Sequence, residues 1–265
     1  MKKILTTLIL TAFVCLSLIS CSDTTSTNNG ETGSTISEDL TISAAASLKE
    51  AMADIEPLFN QKYPNIHLTF NFGASGSLQQ QIEQGAPCDI FISAGQSQMT
   101  SLLDKSLISD DSKKNLVQNS LVLVSTKDST ITSLDDIKSD KVKTIAVGEP
   151  SSVPAGKYAD EVFTKLGVKD SISSKLVFAK DVKEVLAWSS SGNADVGFVY
   201  LSDAISNDSV KIIETISEDL HSPITYPIGI IKSTKYNDAS KEFEDFLFTD
   251  DAQKIFEKYG YKKIS

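Results

Sequence analysis

The feature that most constrains the fold is a regular alternation of short β-rich runs with longer helical stretches, beginning near residue 40. In the first helical stretch, Leu48, Met52 and Ile55 recur at the spacing that places side chains on one helical face. Strands that alternate with helices in this way form parallel sheets covered by helices. The chain has 265 residues, and two α/β lobes of roughly 100 residues each fit this length better than one large sheet.

The individual elements follow from the same periodicity. The predicted strands cover residues 40–44, 67–71, 89–93, 121–126, 144–147, 176–178, 196–200 and 225–231. The predicted helices cover residues 48–63, 78–84, 96–105, 155–166, 182–190, 241–248 and 251–259. No fixed-period repeat is evident in the sequence, which argues against a repeat architecture.

Two of the predicted helices begin with a polar residue in capping-box spacing. Ser47 stands three residues before Glu50, and Asp181 stands three residues before Glu184. We expect Ser47 and Asp181 to cap their helices by accepting a backbone N–H. The Ser47 hydroxyl could also donate to a ligand, because the free amides of a first helical turn point the same way.

Two further helices begin beside residues that favour a close approach of the backbone. Ser75 lies between Gly73 and Gly76, where a plain turn with an N-cap is the alternative to a ligand site. Pro154 suits the first turn of its helix. Helix N-termini carry positive partial charge, and open α/β sheets bind ligands at the carboxyl ends of their strands. Four such helix beginnings converging on one cleft would suit an anion.

Composition narrows the functions open to this chain. A net charge of −10 argues against a nucleic-acid binder, which needs a basic stripe. The sequence contains no arginine, so an anion would have to be held by neutral donors and helix N-termini. The two histidines, His67 and His221, stand in no catalytic or zinc motif, and the glycine motifs of nucleotide-binding proteins are absent. An enzyme is therefore the least favoured class.

The start of the chain predicts export and lipid anchoring. Two lysines precede an almost uncharged apolar run at residues 4–19, as in a signal peptide. The segment Leu18-Ile19-Ser20-Cys21 resembles a bacterial lipobox, in which the cysteine is lipidated and becomes the new N-terminus. We therefore expect a lipoprotein signal peptide at residues 1–20 and a flexible tether at residues 21–38. The lipid on Cys21 would attach the exported protein to the outer face of the cell membrane.

Several motifs stand in a distinctive order along the chain. They are Ala44-Ala45-Ala46-Ser47-Leu48, GAPCDIFISA at 85–94, NSLVLV at 119–124, VGEP at 147–150 followed by VPAG at 153–156, Val199-Tyr200 with Ser202-Asp203-Ala204, and Ile255-Phe256 with Tyr259-Gly260. In this order they resemble the bacterial periplasmic molybdate-binding proteins, the substrate-binding components of molybdate ABC transporters. The resemblance covers about residues 39–261, which is nearly all of the folded part.

The resemblance implies an α/β fold of the two-lobe, type 2 periplasmic-binding-protein architecture, with a central ligand cleft. The chain would cross between the lobes twice, near Ser120 and Ser222. Lobe I would comprise residues 39–119, lobe II residues 120–222, and residues 223–265 would return to lobe I.

The resemblance also implies a set of five positions that bind an oxyanion by hydrogen bonds. They fall on Ser47, Ser75, Ala155, Val182 and Tyr200. The serines would use hydroxyls and backbone amides, Ala155 and Val182 their amides, and Tyr200 its phenol. The ligand would be molybdate or tungstate, two tetrahedral dianions of similar size between which the sequence does not choose.

By the same resemblance, the protein would deliver its ligand to an ABC transporter permease in the membrane, without a cofactor or a metal cation. We further expect a monomer. The alternatives are a binding protein for sulfate-like anions or for a small organic solute. Amino-acid binders commonly clamp a carboxylate with arginine, and a phosphate site profits from a carboxylate acceptor. The five positions supply neither group, which favours a fully deprotonated oxyanion.

Overall fold

Residues 37–264 are described by a computed structural model, and they contain eleven strands and nine α-helices. The strands are β1 (Glu38–Ala45), β2 (Ile66–Gly73), β3 (Ile90–Ile92), β4 (Lys114–Gln118), β5 (Leu121–Thr126), β6 (Ile145–Gly148), β7 (Leu176–Ala179), β8 (Val196–Tyr200), β9 (Val210–Thr215), β10 (Thr225–Ile230) and β11 (Lys262–Lys263). The helices are α1 (Lys49–Lys62), α2 (Ser75–Glu83), α3 (Gln96–Asp104), α4 (Pro154–Lys165), α5 (Lys169–Ile172), α6 (Val182–Ser190), α7 (Leu201–Ile205), α8 (Asn237–Leu247) and α9 (Asp250–Lys258). A 3-10 helix at Ala46–Leu48 stands between β1 and α1.

The strands form two separate sheets, which define two lobes. Lobe I contains the six-stranded sheet in the order β11-β4-β10-β3-β1-β2, and lobe II contains the five-stranded sheet in the order β7-β6-β8-β5-β9. Helices α1, α8 and α9 pack in lobe I, and α4, α6 and α7 pack on the sheet of lobe II. The two-lobe α/β architecture predicted from the sequence is therefore confirmed.

Both sheets are mixed, whereas the sequence pattern predicted parallel strands throughout. Strand β1 is parallel to β2 and β3, but β10 is antiparallel to β3 and β4. In lobe II, β6 is parallel to β7 and β8, but β5 is antiparallel to β8 and β9. Strands β5 and β10 are the first strands after the chain crosses between the sheets, so they run away from the crossing while their neighbours run towards it.

The chain crosses between the sheets twice. It leaves the first sheet after Gln118 and enters the second at Leu121, and it leaves the second after Thr215 and re-enters the first at Thr225. The expected lobe boundaries, after residues 119 and 222, fall within these two connections and remain predictions.

The cores follow the hydrophobic patterns of the sequence. Leu48, Met52, Ile55 and Phe59 are fully buried, as their helical spacing predicted. Residues 121–124 are fully buried in β5, between two other strands of lobe II. Burying a large apolar side chain contributes about 1.5–3 kcal/mol. No helix within residues 37–264 is long and apolar enough to span a membrane.

Candidate functional site

A small cavity between the lobes is lined by all five predicted ligand positions. Ser47 and Ser75 come from lobe I, and Ala155, Val182 and Tyr200 come from lobe II. The other lining residues are small or apolar: Ala45, Ala46, Gly73, Ala74, Ala94, Val153 and Pro154. The volume that the centre of a water molecule could occupy there is about 10 Å³. This is close to the minimum for one water molecule. The two lobes are therefore closely apposed around the five positions.

Ser47 does not cap a helix, so the capping-box prediction at this position is wrong. It lies inside the 3-10 helix that precedes α1, and neither helix has a side-chain cap. Its hydroxyl is instead 2.9 Å from the phenol oxygen of Tyr226, and it is almost completely buried. The extra 3-10 turn places Ser47 at the cavity rather than at the N-cap, which leaves its hydroxyl for other partners.

Ser75 is the first residue of α2, and Ala74 occupies the N-cap position without a side-chain cap. A simple capping role for Ser75 is therefore wrong as well. The Ser75 hydroxyl oxygen accepts a hydrogen bond from the backbone N–H of Ala94 at 3.0 Å. A hydroxyl that accepts in this way keeps its own proton for a further partner.

Ala155 and Val182 present backbone amides from the first turns of α4 and α6. Amides in a first helical turn have no carbonyl one turn earlier to bind. Pro154 stands at the start of α4, as predicted. The Asp181 cap of α6 is also confirmed, because its side chain accepts from the Glu184 N–H at 2.9 Å. Because the cap accepts from the amide of Glu184, the amide of Val182 stays free for a ligand.

Tyr200 ends β8 at the cavity and is 1% exposed. Its hydroxyl has no hydrogen-bond partner among residues 37–264. Burial, followed by nearby charged and phenolic groups, raises the pKa of Tyr200 well above its ordinary value. The phenol therefore keeps its proton, and a buried donor without a partner costs free energy unless a ligand accepts from it.

Among residues 37–264, no charged side chain lines the cavity. The lysine adjacent to a lining residue in sequence is Lys183, beside Val182. Its ammonium lies 2.8 Å from Asp203 in lobe II and 2.5 Å from Glu50 in lobe I. Burial opposes the charge of Lys183, but the two carboxylates outweigh this effect and raise its pKa. Lys183 is thus committed to ion pairs, one of which connects the lobes.

Sequence reasoning missed two buried residues behind the cavity. Tyr226 contacts the Ser47 hydroxyl, and the Asn119 side-chain amide donates to Tyr226 at 3.3 Å. Asn119 belongs to a motif already noted for its resemblance, but nothing in the sequence singles out Tyr226. Its contact with Ser47 joins positions 179 residues apart in the chain.

A larger cleft, of about 440 Å³, opens at the opposite end of the lobe I sheet. Its residue Asp89 is already bonded to the Thr41 N–H at 2.8 Å and to the Thr234 hydroxyl at 2.6 Å. None of the predicted ligand positions lies there. The small cavity between the lobes is therefore the better candidate site.

Two further expectations concern metals and the start of the chain. Within the part of the chain that the structure describes, no group of three or more His, Cys, Asp or Glu is placed to hold a metal ion. The signal peptide, Cys21 and tether residues 21–36 lie outside the described residues.

Comparison with known structures agrees with this architecture. A solved structure named as the substrate-binding domain of a molybdenum ABC transporter from Clostridium difficile is 61% identical, with a TM-score of 0.69 over 86% of this chain and 100% of that chain. The periplasmic molybdate-binding protein of Azotobacter vinelandii has a TM-score of 0.79 over 85% of this chain and 100% of its own, and at 24% identity it shows the fold alone. Two lobes around a cavity at the start of several helices define a binding protein of the periplasmic type.

Sequence relatives place the chain more closely. A model of bacterial extracellular solute-binding proteins matches residues 40–262. A Bacillus subtilis protein named as an ABC transporter substrate-binding lipoprotein is 43% identical, over 89% of this chain and 91% of its own. The molybdate-binding protein of Escherichia coli K12 is 39% identical, over 84% and 88% respectively. The chain belongs to the family of bacterial extracellular solute-binding proteins that includes the molybdate-binding proteins of ABC transporters.

Proposed function

We propose that this protein captures molybdate or tungstate in the cavity between its lobes and delivers it to an ABC transporter permease. The observation that carries the proposal is the convergence of five uncharged donor positions, from both lobes, on one small cavity. The buried Tyr200 phenol, which has no partner among residues 37–264, supplies one donor that a ligand would satisfy. Two relatives of this chain are named molybdate-binding proteins, which supports molybdate as the ligand.

The chemistry of the cavity favours a fully deprotonated anion. Its walls combine hydroxyl groups with the N-termini of α2, α4 and α6, which carry positive partial charge. No carboxylate from the described part of the chain lines the cavity, so the proton of hydrogen phosphate would find no charged acceptor there. Neutral hydrogen bonds are weaker than charge-assisted ones, and a dianion therefore needs many donors in a dry site.

Two other ligands remain as alternatives. Sulfate is a tetrahedral dianion like molybdate but smaller, so cavity size would have to exclude it. A small organic acid is disfavoured, because the sequence has no arginine to clamp its carboxylate. A catalytic role has no support at this site, since no carboxylate, histidine or thiol among the described residues lines it.

Donors from both lobes also suggest how transport begins. A ligand that bonds to Ser47 and Ser75 on one side, and to Ala155, Val182 and Tyr200 on the other, stabilises the closed arrangement. The permease would then recognise the closed form. We propose that the protein acts as a monomer in this step.

We further propose that the mature protein is held at the outer face of the cell membrane by lipid on Cys21. The name of the Bacillus subtilis relative, a lipoprotein, supports this anchor. A Cys21→Ser variant should incorporate no labelled fatty acid, whereas the natural chain should. Equal incorporation in the two proteins would contradict the anchor.

The function is tested by thermal unfolding of the purified protein with and without oxyanions. A ligand that binds the folded protein alone raises the unfolding temperature by mass action. We expect molybdate and tungstate to raise it strongly and phosphate to leave it unchanged. No shift with either molybdate or tungstate would overturn the proposed function.

A further inference from the structure

A chain of hydrogen bonds lies directly behind the cavity, in residues that do not line it. The side-chain amide nitrogen of Asn119 is 3.3 Å from the phenol oxygen of Tyr226, which is 2.9 Å from the Ser47 hydroxyl. All three side chains are almost completely buried. Only Ser47 contributes to the cavity wall.

The direction of this chain follows from the orientation of Asn119. Its side-chain oxygen accepts the backbone N–H of Ser120 at 2.8 Å, so its NH2 group faces Tyr226 and Ser202. An amide NH2 can only donate, and the Tyr226 oxygen must therefore accept from Asn119.

The phenol of Tyr226 then has one proton left to place. The remaining partner within hydrogen-bond distance, among the described residues, is the Ser47 hydroxyl oxygen. If Ser47 donated instead, the Tyr226 proton would be left with the neighbouring Tyr200 phenol, whose oxygen meets hydrogen-bond geometry with no described residue. A buried proton without a well-placed acceptor is costly. Burial also raises the pKa of Tyr226 well above its ordinary value, so the proton stays on the phenol. Tyr226 therefore donates and Ser47 accepts.

A serine that accepts in this way has its own proton free for the cavity. The other serine of the site follows the same rule, because the Ser75 hydroxyl accepts from the backbone N–H of Ala94 at 3.0 Å. Both hydroxyls are thus set as proton donors, Ser47 by a phenol behind the cavity and Ser75 by the backbone of Ala94 in the cavity wall.

We propose that Tyr226 is a positioning residue for the oxyanion site, which donates to Ser47 and thereby directs the Ser47 proton towards the ligand. Asn119 fixes the direction of the chain, and neither residue touches the ligand. The inference rests on the proposed function, and it adds the reason that Ser47 acts as a donor rather than as an acceptor.

A double-mutant cycle on molybdate affinity tests this proposal. Tyr226→Phe keeps the ring and removes only the hydroxyl, and we expect it to weaken binding about ten-fold in the natural background. In the Ser47→Ala background, the same change should weaken binding by less than about two-fold, because its target is already gone. Asn119→Ala in the same cycle should show the same dependence on Ser47.

Tyr261 offers a matched control. Its buried phenol also lies beside Ser47, but its proton is donated to the Ser47 backbone carbonyl at 2.8 Å, so it has no proton left for the Ser47 hydroxyl. Tyr261→Phe should therefore change affinity by the same factor in both backgrounds. Thermal unfolding of each variant checks that the fold is kept.

The outcomes distinguish a failure of the positioning role of Tyr226 from a failure of the proposed function. If the natural protein binds molybdate but Tyr226→Phe and Asn119→Ala cost the same with and without the Ser47 hydroxyl, the positioning role is overturned and the proposed function stands. If the natural protein binds neither molybdate nor tungstate, both fall together.

Discussion

Gly76 in lobe I and Ser152 in lobe II are in direct backbone contact across the cleft. The Gly76 N–H donates to the Ser152 carbonyl oxygen at 2.9 Å. A Cβ at position 76 would lie 2.6 Å from that same oxygen, which is too close for two non-bonded atoms. The φ of Gly76 is not positive, so the glycine is needed for the close approach and not for its backbone conformation.

Gly76→Ala should therefore weaken ligand binding by holding the lobes apart. We expect a loss of about ten-fold or more, since the closed form would become less populated. Gly73→Ala is the control for lobe separation, because a Cβ there would be 3.4 Å from the Leu78 side chain of the same lobe, an ordinary contact. Calorimetry gives the affinities and small-angle X-ray scattering the lobe separation. A lobe separation in Gly76→Ala equal to that in Gly73→Ala would refute the close-approach argument.

The ion pairs of Lys183 lead to two separable expectations. Glu50→Gln removes the pair between the lobes but leaves Lys183 bonded to Asp203, and both partners of the lost pair are partly exposed. Affinity should fall modestly, by about 0.2–1 kcal/mol, and the loss should shrink at high salt. Calorimetric titrations at low and high salt measure this, and an unchanged affinity at low salt would exclude a contribution from the interlobe pair.

Lys183→Met should act on stability instead. It leaves the fully buried Asp203 without its cation. Removing one member of a buried pair costs about 3–5 kcal/mol. Urea unfolding of the ligand-free protein measures this cost, and Glu50→Gln serves as the control because it keeps the buried pair. Equal stability in the two variants would show that Asp203 does not depend on Lys183.

The two serines of the cavity should each matter for affinity. Ser47→Ala and Ser75→Ala each remove a buried donor, and we expect losses of roughly 1–3 kcal/mol in binding free energy. Ser75→Ala also leaves the Ala94 N–H without its acceptor, so its unfolding temperature should fall further. Wild-type affinity in both variants, measured by calorimetry, would remove these serines from the site.

Tyr200→Phe should change affinity and stability in opposite directions. The Tyr200 hydroxyl is buried without a partner in the described part of the chain, so its removal should stabilise the ligand-free protein, while a ligand loses one donor. We expect weaker binding but a higher unfolding temperature without ligand. A lower unfolding temperature would show that the hydroxyl already has a partner in the free protein.

The same phenol predicts the response of affinity to pH. Burial raises the pKa of Tyr200 well above its ordinary value, so the group stays a donor in alkaline solution. The dissociation constant should therefore stay constant between pH 7 and about pH 10, where a free tyrosine is already half ionised. A marked loss of affinity across this range that Tyr200→Phe abolishes would show that the phenol ionises normally.

Helices and strands with a strong local signal in the sequence were predicted with their correct limits. Strand β8 and helix α6 have the predicted limits, because a strong apolar pattern and the Asp181 cap define them. Strands β4 and β9 were missed, since each is short and partly exposed and shows no long apolar run.

The candidate site, like the fold, was predicted from the sequence only in part. Its five positions were implied by the family resemblance that the ordered motifs carry, and the fold brings them to one cavity. Ser47 was wrongly predicted as a cap, because sequence spacing does not reveal the 3-10 turn before α1. Tyr226 was missed because its role arises only from a contact with a residue distant in the chain. The ligand role of the five positions stays a prediction.

The most direct test of the central claim is calorimetric titration of the purified protein with molybdate, tungstate, sulfate and phosphate in separate experiments. We expect tight one-to-one binding of molybdate and tungstate, with sulfate and phosphate much weaker. Binding of sulfate as tightly as molybdate would replace the selective role with a general oxyanion role. A folded protein that binds none of the four anions would contradict the account.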